Sequence, residues 1–126
     1  MRLAFEDGDE QDISGGAELG GALARLRPIG PDTFAILSRA DEDYVQTMME
    51  QGGCVIEKRE GSAAAHFRAV RRRFAPPEPV KWWQFWKRPE GAYFTLAETE
   101  EVFACYADGR APPLFVQWVK MDPNNP

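Results

Sequence analysis

The chain has 126 residues, of which 44% are hydrophobic and 28% charged, with two cysteines and a formal net charge of −5. This length suits one compact domain and is too short for two. No stretch approaches the ~20 uninterrupted apolar residues of a transmembrane helix, and two distant cysteines without metal-ligand spacing exclude a disulfide framework.

The N-terminal region predicts one short strand followed by one helix. Residues 5–9 read Phe-Glu-Asp-Gly-Asp, and Asp-Gly favours a hairpin corner, so we assign residues 1–13 to a short strand and an acidic turn. This acidic start leaves no apolar stretch for a secretory signal, and we therefore expect a cytoplasmic protein. Ser14 is a candidate N-cap for a helix that ends before Pro28, although four glycines lower its helix propensity. Its apolar positions are Ala17, Leu19, Ala22, Leu23 and Leu26.

From residue 33 the hydrophobic period changes to two, which is typical of strands. We predict strands at 33–38, 44–50, 54–59 and 64–71, separated by short turns, and a last strand at 114–119. Short connections make consecutive strands antiparallel neighbours, so the first four form a meander.

Alternation assigns the faces of residues 44–68, because successive side chains of a strand point to opposite sides of the sheet. The predicted core face collects Val45, Thr47, Met49, Cys54, Ile56, Ala65 and Phe67. The opposite, more polar face collects Tyr44, Gln46, Met48, Val55, Glu57, Arg59, His66 and Arg68. We expect the first face to be covered by helices and the second to stay open for another molecule.

A helix is predicted at 95–108. Thr95 and Glu98 have the spacing of a capping box, an apolar stripe follows, and Asp108-Gly109 supplies a stop. The predicted fold is thus one α+β domain over residues 1–126. It has an antiparallel meander of about five strands, an N-terminal and a C-terminal helix packed on one face, and a frayed tail at 122–126.

Residues 81–88 form the most unusual segment, with Trp82, Trp83 and Trp86 between basic side chains. Such rings fill gaps in a small core, but Trp and Arg are also enriched at protein interfaces, on single-stranded nucleic-acid platforms and at membrane surfaces. Residues 58–88 carry a charge of about +7 and the remainder about −12. The acidic remainder would repel phosphates and argues against a nucleic-acid partner.

The sequence contains no recognisable catalytic constellation. His66 is the single histidine, it falls on the face opposite Cys54, and no serine lies in a Gly-x-Ser-x-Gly elbow. General acid–base chemistry with Glu57 or Arg68 stays open as an alternative to an ordinary surface histidine. We predict no cofactor and no metal site.

One set of segments resembles a pattern of small bacterial proteins, some of which are immunity proteins that neutralise a toxin by binding it. The segments are residues 33–37, 44–46, 57–61, 66–67, 102–109 and Trp118. The resemblance carries over no catalytic residue. It implies that the hairpin face bearing Tyr44, Gln46, Glu57, Arg59 and His66 is available for recognition.

Our leading hypothesis is a non-enzymatic protein-binding domain, of the toxin-neutralising immunity type. The predicted partner-binding residues are Tyr44, Gln46, Glu57, Arg59, His66, Arg68, Trp82, Trp83 and Trp86. One alternative is a small-molecule-binding domain or minor enzyme. In it, His66, Glu57 and Arg68 would be the functional groups of a pocket between the sheet and the C-terminal helix. A second alternative is single-stranded nucleic-acid binding.

Overall fold

One continuous β-sheet dominates the part of the chain that the computed structural model describes, which comprises residues 1–75, 80–81 and 91–122. Eight strands lie in the order β2-β1-β3-β4-β5-β6-β8-β7. They are β1 (Arg2–Phe5), β2 (Glu10–Asp12), β3 (Phe34–Ala40), β4 (Asp43–Glu50), β5 (Gly53–Glu60), β6 (His66–Arg71), β7 (Val80–Lys81) and β8 (Val116–Asp122). All neighbouring strands are antiparallel except β7 and β8, which pair in parallel.

Tight turns set the register of the hairpins. In the β1–β2 hairpin the amide of Asp9 donates to the side chain of Asp7 at 2.9 Å, and Gly8 has a φ of 96°. In the β4–β5 hairpin, Glu50 pairs with Gly53 across a two-residue turn. Gly53 has a φ of 132°, and a Cβ there would lie 2.9 Å from the carbonyl oxygen of Phe94. Glycine is needed at both corners because other residues rarely adopt positive φ.

The helix α1 (Leu96–Ala107) forms where the capping box indicated. The Glu98 amide donates to Thr95 Oγ1 at 3.1 Å, and the Thr95 amide donates to Glu98 Oε1 at 2.8 Å. These two bonds satisfy backbone donors that the first helical turn leaves unpaired. Along α1, Val102 and Phe103 are buried in the core.

The predicted N-terminal helix is wrong. Residues 16–18 form only a short 3-10 helix, η1 (Gly16–Glu18), and turns follow it. Leu19, Leu23 and Leu26 are nevertheless fully buried, as their helical spacing suggested. Gly21, with a φ of 79°, interrupts any helix. The segment thus packs on the core as successive turns.

The fold class also needs correction, because the described chain is mostly antiparallel sheet with one α-helix. The extra strands are β2, which carries only polar side chains, and the two-residue β7. Neither strand is long enough for period-two alternation of apolar and polar residues to be recognised in the sequence. The last strand begins at Val116 because residues 114–115 form a turn.

The hydrophobic core lies between one face of the sheet and the layer formed by α1 and residues 13–26. It contains alternate residues of the central strands, with Leu37, Val45 and Ile56 fully buried. Thr47 is the buried polar residue in this row, and its hydroxyl donates to the Val55 carbonyl at 2.9 Å. No helix in the described residues has the length and apolarity that a membrane crossing requires.

Candidate functional site

The sheet face opposite α1, here called the reverse face, carries six of the predicted site residues. Cross-strand pairs place Tyr44 opposite Arg59, and Gln46 opposite Glu57. On the next strand His66 pairs with Arg59, and Arg68 pairs with Glu57. The face assignment is confirmed for these positions, because paired residues in a ladder share a face.

Glu57 is the centre of a charged cluster on the reverse face. Its Oε1 lies 2.9 Å from His66 Nε2, and its Oε2 accepts hydrogen bonds from Arg68 Nη2 at 3.0 Å and from Nε at 3.3 Å. The Arg68 side chain is 3% exposed and that of Glu57 21%. The cluster ties β5 to β6 and neutralises a guanidinium that lies inside the protein.

This arrangement keeps Glu57 ionised. Burial alone would raise the pKa of Glu57, but the hydrogen bond from His66 and the positive charge of Arg68 outweigh it and lower the pKa to about 2. Such a carboxylate does not exchange protons near neutral pH and is poorly suited to general acid–base catalysis. Within the described residues, the buried Nδ1 atom of His66 has no hydrogen-bond partner.

A second charged group borders the first. Arg59 Nη1 donates to Glu42 Oε2 at 2.8 Å, and the guanidinium lies 5.7 Å from the centre of the Tyr44 ring. Glu42 precedes β4, so this contact joins the β3–β4 turn to β5. Arg59 and Tyr44 remain partly exposed and present a polar rim.

An apolar groove of about 380 Å³ lies beside these charges on the reverse face. Its apolar lining is Phe34, Ile36, Met48 and Val55, and Gln46 and Glu57 also line it. Met48 is 45% exposed, although it is a large apolar residue on a central strand. The sequence interpretation missed Phe34 and Ile36, because faces were assigned only from residue 44 onward. Alternation places Phe34 and Ile36 on a common face, but pairing with β4, which includes a register shift between Ser38 and Ala40, decides which face that is.

The reverse face is not open along its whole width. Arg68, Val70, Val119 and Met121 are buried on it, so the expectation of an uncovered face fails at β6 and β8. The physical reason is that β6 and β8 carry apolar side chains on both faces, as strands covered on both sides do. The open part lies on β3 and β4 and at Glu57 and Arg59 of β5, whereas Val55 of β5 is also buried, contrary to the expectation. Trp82, Trp83 and Trp86 fall outside the described residues.

A separate cleft of about 460 Å³ lies on the helix side of the sheet, against the C-terminal half of α1. Its lining includes Lys58, Tyr106 and Trp118. The alternative hypothesis placed His66, Glu57 and Arg68 in such a pocket. These three residues lie on the opposite face, since their strand positions have the other parity.

Other candidate groups are used within the fold. Cys54 and Cys105 are free and buried, and burial raises the pKa of the Cys54 thiol, which disfavours a thiolate nucleophile. Arg71 makes paired bonds to Glu98 at 2.7 and 2.9 Å, and Arg72 donates to the Leu114 carbonyl at 2.9 Å. The described ranges contain no group of three or more His, Cys, Asp or Glu residues placed to hold a metal.

Comparison with known proteins adds no relative to this description. No family model, no curated protein and no solved structure matches the chain.

Proposed function

We propose that this chain is a non-enzymatic binding protein that holds a protein partner on the reverse-face groove, as toxin-neutralising immunity proteins do. The observation that carries this proposal is the groove itself. Its apolar residues, Phe34, Ile36 and Met48, lie on the central strands of the sheet and are only partly covered. Large apolar side chains left exposed together mark contact sites more often than isolated ones do.

The surroundings of the groove suit a protein partner. Glu57 is held in place by Arg68 and His66, and Arg59 is held by Glu42. An apolar centre bordered by fixed polar groups is the usual anatomy of a protein interface. The partner expected here offers a large apolar side chain for the groove and hydrogen-bonding groups for Gln46, Tyr44 and Arg59. The toxin-neutralising part of the proposal rests on the segment resemblance described above.

The first experiment changes one exposed residue of the groove and one elsewhere. Met48→Asp places a charge in the groove, whereas Ile29→Asp changes an apolar residue that is 74% exposed and does not line it. Tagged wild-type protein and both variants are used to capture partners from the native cell. We expect one stoichiometric partner with the wild type and with Ile29→Asp, and at least about tenfold less of it with Met48→Asp. Thermal unfolding of each variant checks the fold.

A second experiment tests the toxin-neutralising part. The captured partner is expressed alone, with the wild type, and with Met48→Asp. Growth arrest by the partner alone that is relieved by the wild type and not by Met48→Asp supports the proposal. Equal capture by Met48→Asp and the wild type would show that the groove is not the interface. A partner that leaves growth unchanged would reject the toxin-neutralising function.

A further inference from the structure

The cleft on the helix side is built differently from the reverse-face groove, because charged and aromatic side chains dominate its lining. It lies between the C-terminal half of α1 and residues of β3, β4, β5 and β8, with a volume of about 460 Å³. That volume falls within the range of small-molecule sites. We propose that this cleft binds a small organic anion with a planar apolar body.

Two cations on the cleft wall are held against aromatic rings. Lys58 Nζ lies 4.6 Å from the centre of the Trp118 ring, and the Lys58 side chain is 15% exposed. The Arg39 guanidinium lies 4.3 Å over the Tyr106 ring and donates to the Tyr106 carbonyl. Fixed cations beside ring faces provide charge for an oxyanion and flat apolar surface for the body that carries it.

The negative groups near the cleft are already engaged or sit at its rim. Asp43 Oδ1 accepts a hydrogen bond from the Tyr106 hydroxyl at 2.6 Å. Glu60 pairs with Lys58, but its side chain is 51% exposed. An incoming oxyanion can therefore replace Glu60 at Lys58 while Glu60 turns into solvent, where its charge is fully hydrated.

The C-terminal end of α1 repels an anion less strongly than a bare helix end would, because three of its last four carbonyl groups accept hydrogen bonds. The Ala104 carbonyl accepts from the Asp108 amide at 3.1 Å, and the Cys105 carbonyl accepts from the Arg110 amide at 2.9 Å. The Tyr106 carbonyl accepts from Gly109 and from Arg39. Bonds of this kind offset the negative partial charge that a helix carries at its C-terminus.

The test compares three probes that share one ring system: 2-naphthoate, 2-naphthylmethanol and 2-naphthylmethylamine. Calorimetry measures their dissociation constants, and NMR follows the Trp118 indole signal, which Trp118→Phe identifies. We expect 2-naphthoate to shift that signal and to bind at least about tenfold more tightly than the amine, with the alcohol between them.

Variants locate the charge that the carboxylate needs. Lys58→Met keeps the apolar stem and removes the ammonium group, and Arg39→Gln removes a more exposed cation. Each is expected to weaken 2-naphthoate about tenfold, whereas Lys120→Met, an exposed lysine outside the cleft lining, leaves binding unchanged. Equal binding of all three probes, no shift of the Trp118 signal, or full affinity in both Lys58→Met and Arg39→Gln would overturn the proposal. If Lys58→Met is destabilised, Arg39→Gln still tests the need for a cation, provided that its own unfolding curve is normal.

Discussion

Single side chains in this protein take their roles from their immediate neighbours. Arg68 belongs to a residue type that recognises anionic partners, yet here it is almost completely buried and is bound to Glu57. Arg59 lies two residue pairs further along the pairing of β5 with β6, and part of its side chain is at the surface. One of the two arginines therefore stabilises the sheet from inside, and the other stays partly exposed beside Glu42, where the proposed partner would contact it.

Glu57→Gln should destabilise the protein by about 2 kcal/mol at neutral pH, because the buried guanidinium of Arg68 then loses its ion pair with Glu57. The folded-state pKa of Glu57, about 2, lies below its ordinary value of 4.5. The stabilisation from this carboxylate is thus fully present above about pH 5 and is lost as the pH falls towards 2. Urea unfolding of both proteins between about pH 7 and about pH 3 should show their difference shrinking as the pH falls.

Glu60→Gln is the matched control, since the Glu60 side chain that pairs with Lys58 is 51% exposed. Its effect should stay below about 0.5 kcal/mol. A stability difference between wild type and Glu57→Gln that does not change with pH would contradict the role assigned to the Glu57 charge.

At the scale of elements, similar apolar spacing leads to two different structures. Both residues 14–26 and residues 95–108 place apolar side chains at helical intervals, and both bury them in the core. Only the second segment combines a capping box with a glycine-free interior. In the first, a Cβ on Gly16 would lie 2.7 Å from the Ala104 carbonyl oxygen of α1, so the backbone itself approaches the helix.

Gly16→Ala should therefore destabilise the protein by about 2 kcal/mol, because the added methyl group forces η1 away from α1. The Gly16 amide would also lose its 2.8 Å hydrogen bond to Asp108 Oδ1. Gly20→Ala is the control, since a Cβ there meets no atom within 4 Å. Thermal or urea unfolding that gives the two variants equal stability would refute the close-approach explanation.

At the scale of the whole molecule, ion pairs between described residues offset part of the charge separation seen along the sequence. Arginines of the basic segment 58–88 pair with acidic residues from outside it, as Arg59 does with Glu42 and Arg71 with Glu98. Each pair joins segments that are far apart in the chain. The Arg59–Glu42 pair lies across the sheet, and the Arg71–Glu98 pair joins the sheet to the helix. The basic segment thus contributes to the fold, which leaves fewer free cations for phosphate groups.

The sheet order also predicts how stability is distributed. Strands β4 and β5 have hydrogen-bonded neighbours on both sides, whereas β2 is a three-residue edge strand with exposed side chains. Amide hydrogen exchange measured by NMR should be slowest in β4 and β5, where opening requires global unfolding. Amides of residues 10–12 should exchange at least about 100-fold faster after correction for intrinsic rates. Equal protection of Gln11 and Thr47 would mean that the N-terminal hairpin is not a separate, weaker unit.

The sequence predicted the central part of the fold because its signals are local. Period-two alternation with turn residues located β3 to β6, and the Thr95 and Glu98 capping box located α1. The groove was predicted only in part. Gln46 and Glu57 were chosen, but the adjoining Phe34 and Ile36 belong to a strand whose faces depend on pairing with β4.

The amino-acid sequence by itself determined which residues form the inner hairpins and which side of them is polar, since alternation and turn chemistry act over a few residues. Only the tertiary structure decided that Arg68 is buried, that residues 14–26 pack as turns, and that a charged cleft lies beneath α1. Burial and strand order depend on contacts between segments distant in sequence, such as Gly16 with Asp108 and Lys58 with Trp118. No short pattern encodes such contacts.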